Sequence, residues 1–141
     1  MAIQLVAFNK NPNIGIFGRV NDRIAIVPRG SPRSFTTALE ESLEVEVHQT
    51  NIAGTSLVGS LVTMNNSGLV VTRQASAEEV KELKGLDMKV AVIKDKYTAM
   101  GNLILLNDRG AIAGKGFGKR SLRLMGEALD CEVVTGELGE F

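Results

Sequence analysis

A pattern that occurs twice at a fixed spacing limits what this chain can fold into. An apolar run broken by Gly59 and Ser60 leads to a turn of Asn65, Asn66, Ser67 and Gly68, and a second apolar run follows. The same layout returns at Gly101 and Asn102, with Asn107, Asp108, Arg109 and Gly110 as its turn. Gly59 to Gly101 and Gly68 to Gly110 are both separated by about 42 residues, which lies in the period range of repeat architectures. Turn residues between two strand-like runs read as hairpins, so the chain is built from a recurring hairpin-containing unit.

Three such units fill the chain, over residues 1–49, 50–97 and 98–141. In the first, residues 14–18 read as a short strand, Asn21 and Asp22 as a turn, and residues 24–27 as the return strand. Phe35, Ala38, Leu39 and Leu43 follow helical spacing, and Val45 and Val47 alternate with Glu44, Glu46 and His48 as a strand with one wet face. In the second, Ser76 with Glu79 forms a capping box at a helix start. Met88, Val90 and Val92 then alternate with Asp87, Lys89 and Ala91 in a closing strand. In the third, a hairpin over 103–113 and a loop over 114–118 precede a helix with Leu122, Met125, Ala128 and Leu129 inward. Cys131 and Val133 sit on its closing strand, and residues 137–141 read as the start of a further connection. Each unit is strand, strand, helix, strand. One unit cannot bury both faces of its hairpin, but several around an axis can, with strands inside and helices outside. The fold class is α/β (α+β).

At 141 residues with 44% apolar content a sizeable core is available, and the 4% aromatic content makes it a core of Val, Leu, Ile and Ala. The 16 basic and 16 acidic residues cancel, which argues against indiscriminate binding to naked nucleic acid while leaving room for a local basic patch. A single cysteine, Cys131, forbids an internal disulfide, as suits a reducing compartment. No apolar run reaches a membrane-spanning length, and residues 1–9 lack a signal-peptide layout. The reading is a cytoplasmic protein with no membrane partner.

The run of residues 49–60, from Gln49 through Asn51, Gly54 and Thr55 to Gly59 and Ser60, resembles archaeal translation initiation factor 6. So do residues 98–105, with Met100, Gly101 and Asn102, followed by Asn107 and Asp108, and the opening Asn13, Ile14 and Gly15. The resemblance covers essentially the whole chain. It implies the pentein fold, a β/α propeller of five ββαβ units about a pseudo-fivefold axis with a central cavity. It implies a non-enzymatic factor on the intersubunit face of the large ribosomal subunit. There the factor lies near the sarcin–ricin loop of the rRNA and beside a neighbouring ribosomal protein, and sterically prevents joining of the small subunit. This chain carries three units. That favours a truncated piece of a longer protein; the alternative is a self-assembling pentein-repeat module without ribosome binding, closed by self-association through open repeat edges. Relatives also carry a Pro-containing acidic loop where this chain has the basic, glycine-rich residues 114–119.

The pentein fold also hosts guanidine-modifying enzymes, which use a nucleophilic Cys with a His and carboxylates. Cys131 reads instead as a small buried thiol and His48 as a partly exposed structural histidine, so neither catalysis nor a metal or cofactor site is expected. Residues 114–121 suggest a phosphate loop, but Arg120 stands where a nucleotide P-loop needs Ser or Thr; a basic tip touching an rRNA phosphate is the functional alternative to a plain loop. The residues assigned to ribosome binding are Asn13, Gly15, Gly59, Ser60, Gly101 and Asn102. Equivalent positions of a repeat gather on one face, small residues admit a close partner, and Asn both donates and accepts. The resemblance puts Asn102 at the contact with the ribosomal protein. Service to the backbone is the competing explanation for these Gly and Asn residues. The turn residues Asn65, Asn66, Asn107 and Asp108 are assigned a structural role.

Overall fold

The computed structural model describes residues 3–137, so most of the connection read at 137–141 lies outside the described residues. Three three-stranded sheets succeed one another, in the orders β1-β2-β3, β4-β5-β6 and β7-β8-β9. The first holds β1 (Arg19–Val20), β2 (Ile24–Val27) and β3 (Glu46–Gln49); the second β4 (Val62–Met64), β5 (Gly68–Thr72) and β6 (Lys89–Ile93); the third β7 (Ile104–Leu106), β8 (Gly110–Gly114) and β9 (Glu132–Gly136). In every sheet the first two strands are antiparallel, and the third returns parallel to the second after a helix. The crossover helices are α1 (Arg33–Leu43), α3 (Ala77–Lys84) and α5 (Lys119–Leu129). This is the ββαβ repeat of a pentein-type fold.

The entry to each hairpin differs from the sequence reading. Residues 14–18 are not a strand: Ile14–Ile16 form a 3₁₀ turn, and the strand starts at Arg19. The equivalent stretches are the short helices α2 (Val58–Leu61) and α4 (Met100–Leu103). A helical turn closes backbone hydrogen bonds locally, such as Phe17 N–H to the Ile14 carbonyl at 3.0 Å. It thereby frees the glycine in its middle to meet another unit. Apolar content alone cannot separate so short a turn from a strand.

The middle sheet is buried on both faces at its central strand. All five residues of β5 are buried. Leu69 and Val71 pack with Leu83 and Met88, while Val70 packs with Met125, Ala128 and Leu129 of the next unit. Ala91, read as outward, is likewise covered by that second cluster. The helix α5 therefore does more than form an outer layer, because it fills the seam against the preceding sheet. The same row of the repeat shows what covering does. Ile26 and Val70 are 0% exposed, whereas their equivalent Ile112 is 39% exposed beside Leu105 at 57% and Val134 at 47%. The third sheet thus presents an open apolar face among the described residues.

Local chemistry explains the boundaries. The Ser76 hydroxyl accepts from Glu79 N–H at 3.2 Å while Glu79 accepts from Ser76 N–H at 2.8 Å, the reciprocal box expected from the sequence. Glu44, Asp87 and Asp130 each take a left-handed conformation where a helix hands over to its closing strand, with φ of 54°, 58° and 50°. That reversal turns the chain sharply enough for the strand to come back parallel.

Candidate functional site

The three helical turns before β1, β4 and β7 meet at the inner side of the array. Gly15, Gly59 and Gly101 form a column there. A Cβ on Gly59 would lie 2.0 Å from the Gly15 carbonyl oxygen, and a Cβ on Gly101 would lie 1.9 Å from that of Gly59. Only glycine permits such approach. Gly15 itself has open space where its Cβ would stand.

Arg19 ties the column together. Its Nε donates to the Gly59 carbonyl at 2.8 Å, and Nη2 donates to the Gly101 carbonyl. One side chain from the first unit thus reaches the second and the third. Burial pushes its pKa below the usual arginine value, yet a guanidinium stays charged in proteins, so a cation sits at the junction. The sequence reading missed Arg19. A signal was available, because the repeat aligns it with Thr63 and Leu105, and a charge at an otherwise uncharged inner position marks an exception.

The six assigned residues divide by accessibility. Gly59 is buried, and Gly101 and Ser60 are half-buried; the close approach that the two glycines allow is to neighbouring units. Asn13, Gly15 and Asn102 are exposed. Asn102 lines an open groove of about 560 Å³ together with Arg19, Tyr97, Leu105, Lys115 and Glu137.

At the opposite end of the sheets the turn residues form ladders. Asn21 Nδ2 donates to the Asn65 carbonyl at 3.2 Å, and Asn65 Nδ2 donates to those of Asn107 at 3.2 Å and Leu129 at 2.8 Å. Each asparagine also closes its own turn, Asn65 Oδ1 accepting from Ser67 and Gly68 N–H at 3.0 Å. One position on, Asn66 donates to Asp22 and Asp108. Hydrogen bonds from the Asn66 backbone and side chain hold the Asp108 carboxyl below its usual range.

The loop over 114–118 is tied down by Asp95, whose Oδ2 accepts from Gly118 N–H at 3.0 Å and from the Ser121 hydroxyl at 2.7 Å. These bonds lower the Asp95 pKa. Gly116 takes φ +104° against the Tyr97 ring, and Tyr97 meets Phe117 edge-on at 5.2 Å. The loop is therefore packed against an aromatic pair.

Cys131 lies just before β9 and is half-buried, so the buried strand position expected for it is corrected. The neighbouring turn into the left-handed Asp130 brings it toward the surface. Burial raises its thiol pKa, and Asp130 and Asp108 add to the rise, opposite to what a nucleophilic cysteine needs. His48 is half-buried on β3, and its Nε2 is enclosed without a hydrogen-bond partner among the described residues. Among the described residues no group of three or more His, Cys, Asp and Glu could hold a metal ion, and no helix is long and apolar enough to cross a membrane.

The chain matches the eIF-6 family over residues 3–141. It is similar to proteins named translation initiation factor 6 in three archaea. It is 36% identical to that of Methanothermobacter thermautotrophicus, over 96% of this chain and 61% of the relative. It is 38% identical to that of Archaeoglobus fulgidus, over 95% and 61%, and 33% identical to that of Methanopyrus kandleri, over 99% and 63%. The chain spans about three-fifths of the length of these curated relatives. The repeated ββαβ unit, the glycine column and the match across the described residues lead to one assignment: this chain belongs to the eIF-6 family.

Proposed function

We propose that this chain acts in translation as a non-enzymatic, cytoplasmic factor that binds the large ribosomal subunit and sterically prevents its association with the small subunit. The observation that carries this reading is the family match over residues 3–141, to a family whose relatives are named as translation initiation factors. The partners are rRNA near the sarcin–ricin loop and an adjacent ribosomal protein. Asn13, Gly15 and Asn102 make the contact from the exposed rim. Gly59, Ser60 and Gly101 act beneath them by setting how closely the three turns pack.

Sucrose-gradient cosedimentation with archaeal large subunits tests the reading. The expected result is comigration with the large subunit, with Asn102→Ala weakening it about tenfold, or roughly 1.4 kcal/mol. A chain that stays at the top of the gradient, and leaves subunit joining unchanged, would remove the proposal.

One observation favours a second reading. The open apolar face of Leu105, Ile112 and Val134 suits self-association of a pentein-repeat module that does not bind ribosomes. Light scattering decides: a discrete oligomer without affinity for large subunits favours the module, and a monomer that cosediments favours the factor.

A further inference from the structure

The seam between the second and third units shows what a sheet of this repeat receives on its far face. There the end of α5 lies on the start of β5. A Cβ on Gly68 would stand 1.9 Å from the Ala128 carbonyl oxygen, and Asn65 Nδ2 donates to the Leu129 carbonyl at 2.8 Å. Val70 and Ala91 are buried in one cluster with Met125, Ala128 and Leu129. Three features thus make a seat for a helix end. A glycine permits close approach, an asparagine amide serves the last carbonyl, and an apolar pair takes the side chains.

The third sheet repeats every part of that seat. Gly110 aligns with Gly68, Asn107 with Asn65, and Ile112 and Val134 with Val70 and Ala91. Gly110 has no positive φ to require glycine, and the nearest atom to a Cβ there is the Glu132 oxygen of its own sheet, at 3.7 Å. Asn107 Oδ1 accepts within its own turn, while its Nδ2 makes no hydrogen bond among the described residues. Ile112 and Val134 stay exposed, in an open depression of about 580 Å³.

The first unit carries the matching plug. α1 and α5 are both 11 residues long, and each ends on a left-handed residue, Glu44 and Asp130. Leu43 therefore stands where Leu129 stands. Leu129 is 0% exposed and Leu43 is 47% exposed, because no sheet precedes the first unit among the described residues. The Ser42 hydroxyl donates to Gln4 Oε1 at 2.7 Å, so the exposed Ile3 and Leu5 extend the same apolar end. Seat and plug are the two halves of one seam, left at opposite ends of the array.

We propose that the open face of the third sheet is docked, head to tail, by the α1 end of a second copy of this chain. The Ser42 carbonyl of the incoming copy lies over Gly110, its Leu43 carbonyl accepts from Asn107 Nδ2, and its Leu43 side chain covers Ile112 and Val134. The occupant is a second copy because the contact continues the seam that the chain already builds between its own units. A heterologous contact of this kind leaves one seat and one plug at the ends of a pair, which then close on each other or extend the array. The proposal deepens the self-association reading and rests on it.

The test is sedimentation velocity of the whole chain over about 1–100 μM. Ile112→Glu spoils the seat and keeps the plug, and Leu43→Glu does the reverse. Each variant alone is expected to associate more weakly by about tenfold or more, whereas a one-to-one mixture is expected to form a discrete heterodimer through the one intact seat and the one intact plug. Asn107→Asp is expected to weaken association about tenfold while leaving the urea midpoint of the dilute chain nearly unchanged, because the fold makes no use of that N–H. Circular dichroism confirms that the variants fold. Leu43→Glu assembling like the unaltered chain, or a mixture no more associated than its components, overturns the head-to-tail contact and keeps self-association by another face. An unaltered chain that is monomeric at the highest concentration, or that forms only heterogeneous aggregate, removes both.

Discussion

The Arg19 guanidinium donates from Nε to the Gly59 carbonyl oxygen at 2.8 Å, across forty positions of sequence. With the Gly101 carbonyl as its second acceptor, it serves two backbone groups that the helical turns leave free. Arg19→Leu removes the charged donor and strands both acceptors. The expected loss is about 2–3 kcal/mol in urea denaturation. Arg19→Lys keeps the charge without the planar fork and is expected to recover only part of that loss.

The glycine column separates packing from surface at residues of one type. Gly59→Ala would drive a Cβ to 2.0 Å from the Gly15 carbonyl, and Gly101→Ala one to 1.9 Å from that of Gly59. Both contacts are with backbone, which cannot swing aside as a side chain can. Each substitution is expected to cost about 3 kcal/mol or more, seen as a large fall in thermal midpoint. Gly15→Ala meets nothing within 4 Å and should change stability by less than about 0.5 kcal/mol. A weakening of large-subunit binding by Gly15→Ala would therefore report contact, whereas the same loss in Gly59→Ala would not.

Asn65 and Asn107 hold equivalent turn positions with unequal burial. Asn65 is buried, and both ends of its amide are engaged. Asn65→Asp would set carboxylate oxygen against the Asn107 and Leu129 carbonyls, where an amide N–H now donates. It is expected to destabilise by about 3 kcal/mol or more. Asn107 is exposed, and among the described residues its side chain serves its own turn, accepting from Arg109 and Gly110 N–H. Asn107→Asp keeps that acceptor and should cost less than about 1 kcal/mol. Denaturation of the two variants side by side checks the difference.

The parts of the fold readable in the sequence were those in which local chemistry and packing agree. The capping box of Ser76 and Glu79, the turn at Asn65 and the apolar face of α5 each satisfy their own hydrogen bonds or burial within a short window. The helical turns around Gly15, Gly59 and Gly101 were not readable as helix. Four residues carry too little periodicity, and what selects the turn is contact with another unit. Arg19 was missed for the same reason, since its partners lie in two later units. At the exposed rim, Asn13 and Asn102 stood out by residue type and repeat position, and both side chains are open to solvent, so packing within the chain gives them no further signal.

Glu79 makes stability depend on pH. Burial alone would push its carboxyl up, but donation from the backbone N–H groups of Gly54, Ser76 and Ala53 outweighs it, and the pKa ends below the usual value. A depressed folded-state pKa means that the unfolded chain takes up its proton first. The stabilisation is therefore complete above the ordinary glutamate value of about 4.3 and is lost as pH falls through the lower folded value. Glu79→Gln would leave the N–H groups facing an uncharged amide whose NH₂ cannot accept from them. The expected loss at pH 7 is about 1–2 kcal/mol, after allowance for the partial exposure of the group. Urea titrations at pH 7 and pH 3 check the sign: the gap between the unaltered chain and Glu79→Gln should narrow at pH 3, and a gap that stays constant would mean that the charge of Glu79 contributes nothing.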